Sequence, residues 1–245
     1  FNALEKGSLK PDDELKISRR AANREPSRLG LTPGKTIAVK DAVLALIIKS
    51  ANDCASVLAE NIAGSEAKFA ELMTKTAKEL GMHNTVFKNA SGLPNREQKT
   101  TARDMAILGS AIYHHFPEYY DLFSTSKFTY NGTTYYTHNH LLKKFKGADG
   151  MKTGYTSAAG FNIVTSAERD GRRVIAVTMG HDSAKGRDRK IAQLMNSGLK
   201  KIGGNTQKHS TTAKLEIPEL DQNNSNETWA IQIGAFSNYI KARNY

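Results

Sequence analysis

The stretch that most constrains this chain is "AGFNIVTSAERDGRRVIAVTMG", residues 159–180. Two Val/Ile-rich runs flank a turn at Arg169–Gly171, and each run is nearly free of charge. Strands of that kind sit in the middle of a sheet, and both of their faces must be covered. A second pair of alternating runs, "KFTYNGTTYYT", turns at Asn131-Gly132, the strongest short hairpin signal.

The rest of the pattern is helical. The spacing of Phe1, Leu4 and Leu9 predicts a short amphipathic helix at the start. Residues 27–40 read as loop with some strand character at Thr36, Ile37 and Val39. Asp41 predicts an N-cap for an apolar, deeply buried helix from Ala42 to Lys49. "SANDCA" interrupts it, and a second helical stretch follows to Ala63. Residues 65–80 place Phe69, Leu72, Met73, Thr76 and Leu80 on one helical face, with Gly81 as C-cap. Residues 89–95 are turn-rich, and a helix capped by Thr101 follows with Asp104 in its first turn. A last amphipathic helix spans 187–202. Helices first, an antiparallel sheet later and a closing helix predict an α+β, three-layer α/β architecture with helices on both sheet faces.

At 245 residues the chain can bury a substantial core unaided by disulfides. Its single cysteine, Cys54, excludes an intrachain disulfide and a Cys-based zinc site, and its place beside Asn52 reads as core. His138 and His140, and the adjacent His114 and His115, lack ligand spacing with a carboxylate partner, so no metal and no cofactor is expected.

The formal net charge is +11. Beyond residue 202, Lys208, Lys214, Lys241 and Arg243 balance Glu216, Glu219, Asp221 and Glu227, so the whole excess sits in residues 1–202. A basic domain attracts anionic polymers, but no basic run or motif frames a nucleic-acid site, and no nucleic-acid partner is expected. Residues 203–227 are polar and aperiodic, which predicts a linker. Residues 228–245 then offer an alternating strand at Trp229, Ile231 and Ile233 and the start of a helix, the opening of a further domain.

Two segments can carry chemistry. Ser50-Ala51-Asn52 puts a hydroxyl and a carboxamide where a buried helix breaks, though alone it reads as a helix cap. Lys152-Thr153-Gly154, expected at the beginning of a strand, offers an ammonium, a hydroxyl and a residue without a side chain, a set able to grip a carboxylate.

Together "KSANDCA", "NASGLP", "TARDMA", "NHLL", "DGMKTGYTSAAGFN" and "KGRD" stand in the order seen in low-molecular-mass D-alanyl-D-alanine carboxypeptidases. Residues 1–202 resemble that serine peptidase family of penicillin-binding proteins. "WAIQIGAFSNYIKAR" resembles the opening of a SPOR domain, a peptidoglycan-binding module.

The resemblance implies a β-lactamase/transpeptidase-like fold and acyl transfer on the D-Ala-D-Ala end of a peptidoglycan stem peptide, with inhibition by β-lactams. It implies that Ser50 relays a proton to the leaving amine, while Asn52 holds the base and the substrate amide. Lys152 and Thr153 would bind the terminal carboxylate, Gly154 would admit the substrate backbone, and the Tyr155 N–H would serve the oxyanion hole. Arg187 would add positive charge, and His138 and Asn139 would flank the pocket, although Asn139 could simply hold its loop. The family order places the nucleophile's Ser-x-x-Lys before Phe1. The strings Ser65–Lys68 and Ser124–Lys127 come too late to serve. The expectation is therefore a piece truncated at its N-terminus, inactive alone, from a protein of the bacterial periplasm or outer face of the inner membrane with a signal peptide further upstream. The alternative is a catalytically silent wall-binding protein.

Overall fold

The computed structural model describes residues 1–204 and 228–233, and these fall into two compact units. The first takes in residues 1–76, 86–99 and 114–138. It opens with α1 (Asn2–Glu5), shorter than the Phe1–Leu9 pattern predicts, since Gly7 takes a positive φ of 66° and ends the turn. Phe1 stacks on Tyr119 at 5.3 Å. Next come β1 (Glu14–Lys16), α2 (Arg19–Ala22) and β2 (Thr36–Ala38), with β1 and β2 antiparallel.

Helix α3 (Val39–Leu44) starts three residues earlier than predicted. Ala38 is its cap without a side-chain bond, and Asp41 lies in the first turn, where it complements the helix dipole. The predicted continuation, Ala45–Lys49, winds as a π-helix that ends at Ser50. Helix α4 (Asn52–Ala63) then runs to Gly64, a left-handed C-cap.

Helix α5 (Glu66–Glu79) lies where the spacing puts it, with its inward face shifted: Phe69, Met73 and Leu80 of the predicted face are half-buried, but Thr76 and Leu72 are exposed. Leu72 is 45% exposed, while Glu66, Ala70 and Ala77 are buried. The reason is electrostatic. The Glu66 carboxylate pairs with Arg24 and accepts from the Ala90 N–H at 3.2 Å, so the helix is rotated to keep that charge inside with its partners.

The second unit takes in residues 77–85, 100–113 and 139 onward. Helix α6 (Ala102–His115) is capped as expected, the Thr101 Oγ1 accepting from the Asp104 N–H at 3.1 Å. Within the first unit follow α7 (Pro117–Tyr120) and the hairpin of β3 (Lys127–Tyr130) and β4 (Thr133–Tyr136). Asn131 and Gly132 both adopt positive φ there, as a two-residue turn of this twist requires.

Helix α8 (Leu141–Lys144) leads into β5 (Ala148–Thr156), β6 (Gly160–Arg169) and β7 (Arg172–His181), an antiparallel run whose second turn is Asp170-Gly171. Helix α9 (Ala184–Gly204) is longer at both ends than predicted. On one sheet face its Ile191, Met195 and Leu199 pack with Ile163, Ala167, Val174 and Ala176. On the other face α6 approaches so closely that a Cβ on Gly109 would stand 3.2 Å from Met151 Sδ and Val164 Cγ1. The result is the three-layer, mixed architecture that the sequence predicts.

The alternating strand at the C-terminal end is present as β8 (Thr228–Ile233), and it pairs in parallel with β7, unlike the antiparallel rest of the sheet. The linker predicted over 203–227 falls outside the described residues except for Gly203 and Gly204, which close α9. The helix predicted after Ile233 also lies outside them.

Candidate active site

Ser50 and Asn52 belong to the first unit. The π-helix runs into Ser50, which sits in the left-handed region at φ 57°, ψ 44°. For an L-residue that geometry costs on the order of 1–2 kcal/mol. Ala51 is extended, and α4 begins at Asn52. The Asn52 backbone N–H donates to Ser27 O at 2.7 Å, and its Nδ2 donates to Glu25 O at 2.9 Å. Cys54 is buried, and desolvation first, then neighbouring Asp53, pushes its thiol far above the ordinary range. It is a core residue and no nucleophile.

The Ser65–Lys68 and Ser124–Lys127 strings have structural occupations. Ser65 Oγ accepts from the Lys68 N–H at 3.2 Å at the start of α5. Ser124 Oγ donates to Asp121 O at 2.7 Å within a single 3-10 turn. His138 is solvent-exposed.

Lys152, Thr153, Gly154, Tyr155, Arg187 and Asn139 belong to the second unit. The Lys-Thr-Gly triplet lies in the second half of β5, not at its beginning, because the strand already starts at Ala148. Strand order is β5-β6-β7-β8, so among the described residues β5 is an edge strand with one side open for pairing. Gly154 stands opposite Asn162. A Cβ added to Gly154 would meet nothing within 4 Å, so the space in front of the strand is free. Tyr155 is 59% exposed and lies against Phe161, ring centroids 4.3 Å apart.

The Lys152 Nζ donates to Thr153 O at 2.9 Å. Desolvation, and then the positive charge of Arg187, bring its proton affinity down to about 8. Arg187 is buried on the first turn of α9. Its Nε and Nη2 donate to Asp188 Oδ1 at 3.0 and 2.7 Å, and its Nη1 reaches Asn162 O at 3.4 Å. Lys152 and Arg187 are thus near enough for their charges to act on each other, with Asp188 offsetting that of Arg187. Asn139 is buried, and its Oδ1 accepts from the Leu141 N–H at 3.2 Å, which fits the loop-holding role.

Three residues near these candidates carry no role in the sequence reading. Asn162 accepts from the Gly180 N–H at 2.9 Å and so ties β6 to the end of β7. His181 Nε2 lies 2.7 Å from Thr178 Oγ1, and burial followed by Arg187 lowers its proton affinity. Asp53 is fully buried beside Asn52. Its signal was a carboxylate directly before the small, apolar Cys54 and Ala55 of a helix. A cavity of about 230 Å³ lies elsewhere, under the β6–β7 turn, lined by Arg169, Arg172, Asn196 and Lys200 among others, and none of the candidate residues lines it.

The Lys-Thr-Gly strand and the Ser-Ala-Asn corner are motifs by which the sequence resembles the penicillin-binding carboxypeptidases. Solved structures of that class share the fold. D-alanyl-D-alanine carboxypeptidase DacD from Francisella tularensis matches with a TM-score of 0.78 at 31% identity, over 81% of this chain and 60% of that one. Penicillin-binding protein D2 from Listeria monocytogenes, solved in its ampicillin-bound form, matches with a TM-score of 0.72 at 31% identity, over 81% of each chain. The family model for D-alanyl-D-alanine carboxypeptidase matches residues 1–183, and the chain belongs to that family, S11 of the peptidases. It is 39% identical over 203 residues to D-alanyl-D-alanine carboxypeptidase DacD of Escherichia coli (strain K12). That match covers 80% of this chain and 52% of the relative, so the chain spans about half the length of the curated relatives it matches.

Proposed function

We propose that these residues form part of a serine-type D-Ala-D-Ala carboxypeptidase that trims peptidoglycan stem peptides. The observation that carries the reading is the pair of close-set cations, Lys152 and Arg187, beside the open edge of β5. A stem peptide would lie along that edge as an added strand, with Gly154 leaving room for its backbone. Lys152 and Thr153 would take its terminal carboxylate, and Arg187 would raise the local potential.

The nucleophile would come from a Ser-x-x-Lys segment outside residues 1–245. Its hydroxyl would give its proton to the lysine of that segment as its oxygen attacks the carbonyl of the penultimate D-Ala, and the resulting oxyanion would be held by backbone N–H groups that include that of Tyr155. The C–N bond breaks as Ser50 passes a proton to the leaving amine, and free D-Ala departs. Asn52 would hold the base and the substrate amide, and water then cleaves the ester to restore the serine. Penicillins would enter the same cycle, their ring carboxylate taking the place of the terminal carboxylate. His138 is assigned to the rim of the pocket, and Asn139 to holding the loop beside it.

A peptidoglycan substrate supports a location in the periplasm or on the outer face of the inner membrane of a bacterium. Residues 228–245 are assigned to the start of a SPOR-like module for glycan strands, joined through a linker at 203–227. The test is release of D-alanine from an N-acylated Lys-D-Ala-D-Ala peptide by the full-length protein. Release that stops in the Lys152→Ala variant and after penicillin treatment is expected. A full-length protein that binds the peptide but releases no D-alanine would contradict the reading.

A further inference from the structure

The Ser50–Asn52 corner leans on a side chain that the proposed chemistry does not use. Asp53 is fully buried, and its carboxylate accepts from the backbone N–H groups of Leu29, Gly30 and Leu31 at 2.9, 2.8 and 3.2 Å. It also accepts from the Cys54 N–H at 3.0 Å. Three consecutive loop N–H groups thus converge on one buried charge, which is how such a charge is tolerated away from water.

The same loop is gripped from the other side of Ser50. Ser27 Oγ donates to Lys49 O at 2.9 Å, just before the corner. The two bonds from Asn52 reach Ser27 O and Glu25 O, just after it. Residues 25–31 therefore bridge the two sides of a serine in left-handed geometry. Backbone strain at a non-glycine residue persists only where its surroundings over-determine it. The helix-cap reading does not explain this arrangement, because Ala51 is the N-cap and makes no side-chain cap bond.

We propose that Asp53 is a positioning residue: by locking residues 29–31 onto the first turn of α4, it holds Ser50 and Asn52 in the geometry in which they act. The inference rests on the functional reading above. A purely structural carboxylate supplies the control. Asp104 is buried just as deeply and accepts from the Asn84 N–H at 2.9 Å and Thr85 Oγ1 at 2.6 Å, all within the second unit.

The experiment measures the second-order rate of acylation by a fluorescent penicillin, with Tm alongside, in the full-length enzyme. Asp53→Asn is expected to slow acylation about 10–100-fold, the scale of a misplaced reacting group. Asp104→Asn is expected to lower Tm comparably while the folded enzyme acylates within about twofold of wild type. In an Asn52→Ala background, adding Asp53→Asn is expected to cost no more than about twofold further, because the two act as one unit. Should Asp53→Asn fail to fold, Ser27→Ala tests the opposite grip and is expected to slow acylation about 3–10-fold.

Unchanged acylation in Asp53→Asn, or in Ser27→Ala if that is the variant that folds, would overturn the proposal. So would a loss that recurs in full on top of Asn52→Ala. A wild type that forms no adduct refutes the carboxypeptidase reading itself, a result distinct from normal acylation in both wild type and variant.

Discussion

The two groups of candidate residues are built by opposite means. Lys152 to Tyr155 lie on a regular strand whose register with β6 runs unbroken from Met151 to Thr156, and the sheet behind it is packed by helices on both faces. Ser50 to Asn52 lie where regular structure fails, between a π-helix and an α-helix, held by side-chain bonds to a loop. The strand group draws its rigidity from burial of apolar area, which many substitutions leave intact. The corner draws its rigidity from a few directed bonds, each of which matters singly. Function should therefore be more easily separated from stability at the strand than at the corner.

The largest effect is expected at Lys152. Lys152→Ala should lower kcat/KM for the D-Ala-D-Ala peptide about 10³-fold, the scale of truncating one partner of a desolvated charge pair. Lys152→Arg should recover little, since a planar fork does not replace a compact ammonium. Steady-state kinetics beside a melting temperature no lower than that of wild type would check both.

At the corner, Ser50→Gly sets the two properties against each other. Loss of the proton relay should slow acylation about 10²-fold. Tm should hold or rise, because glycine adopts φ 57° without strain. A fall in Tm would show that the Ser50 hydroxyl, not the surrounding clamp, holds the corner.

Gly154→Ala sharpens the strand side. The space is open and the backbone is ordinary extended strand, so Tm should not change, while affinity for substrate or penicillin should fall about tenfold as the added methyl blocks the approaching backbone. Gly109→Ala is the reverse case. The new Cβ crowds Met151, Val164 and Ile175, and overpacking of that kind costs about 1–3 kcal/mol, with acylation by the folded enzyme unaffected.

The smallest effect is in pH. Lys152 loses its proton near pH 8, so KM for a carboxylate-bearing substrate should rise as pH passes that value. Stability moves the other way. The ordinary lysine value is 10.5, so between about pH 8 and 10.5 the unfolded chain binds the proton more tightly than the folded one, and this group makes the fold more stable as pH increases. Denaturant midpoints across that window, compared with Lys152→Ala, isolate the contribution.

Sequence made the strand side legible because alternation and turn chemistry are local. Asn131-Gly132 and the turn before Arg172 fix both hairpins, and the near absence of charge in β6 and β7 requires two covering layers. It left the corner obscure because what holds Ser50 comes from residues about twenty positions earlier, through backbone N–H groups that any residue but proline supplies. Helix α5 shows the same limit. Its apolar periodicity points to Leu72, but the ion pair of Glu66 with distant Arg24 decides which side turns inward. The Lys-Thr-Gly and Ser-Ala-Asn candidates were visible as motifs. The edge position of β5 and the closeness of Arg187 to Lys152 needed the sheet and α9 in three dimensions.

The most direct test of the central claim is the intact mass of the full-length protein, and of residues 1–245 alone, after incubation with penicillin. The account predicts a one-to-one adduct on the full-length protein and none on residues 1–245. An unmodified full-length protein would contradict the acyl-serine mechanism, and an adduct on residues 1–245 would place the nucleophile among serines that the structure assigns to other tasks.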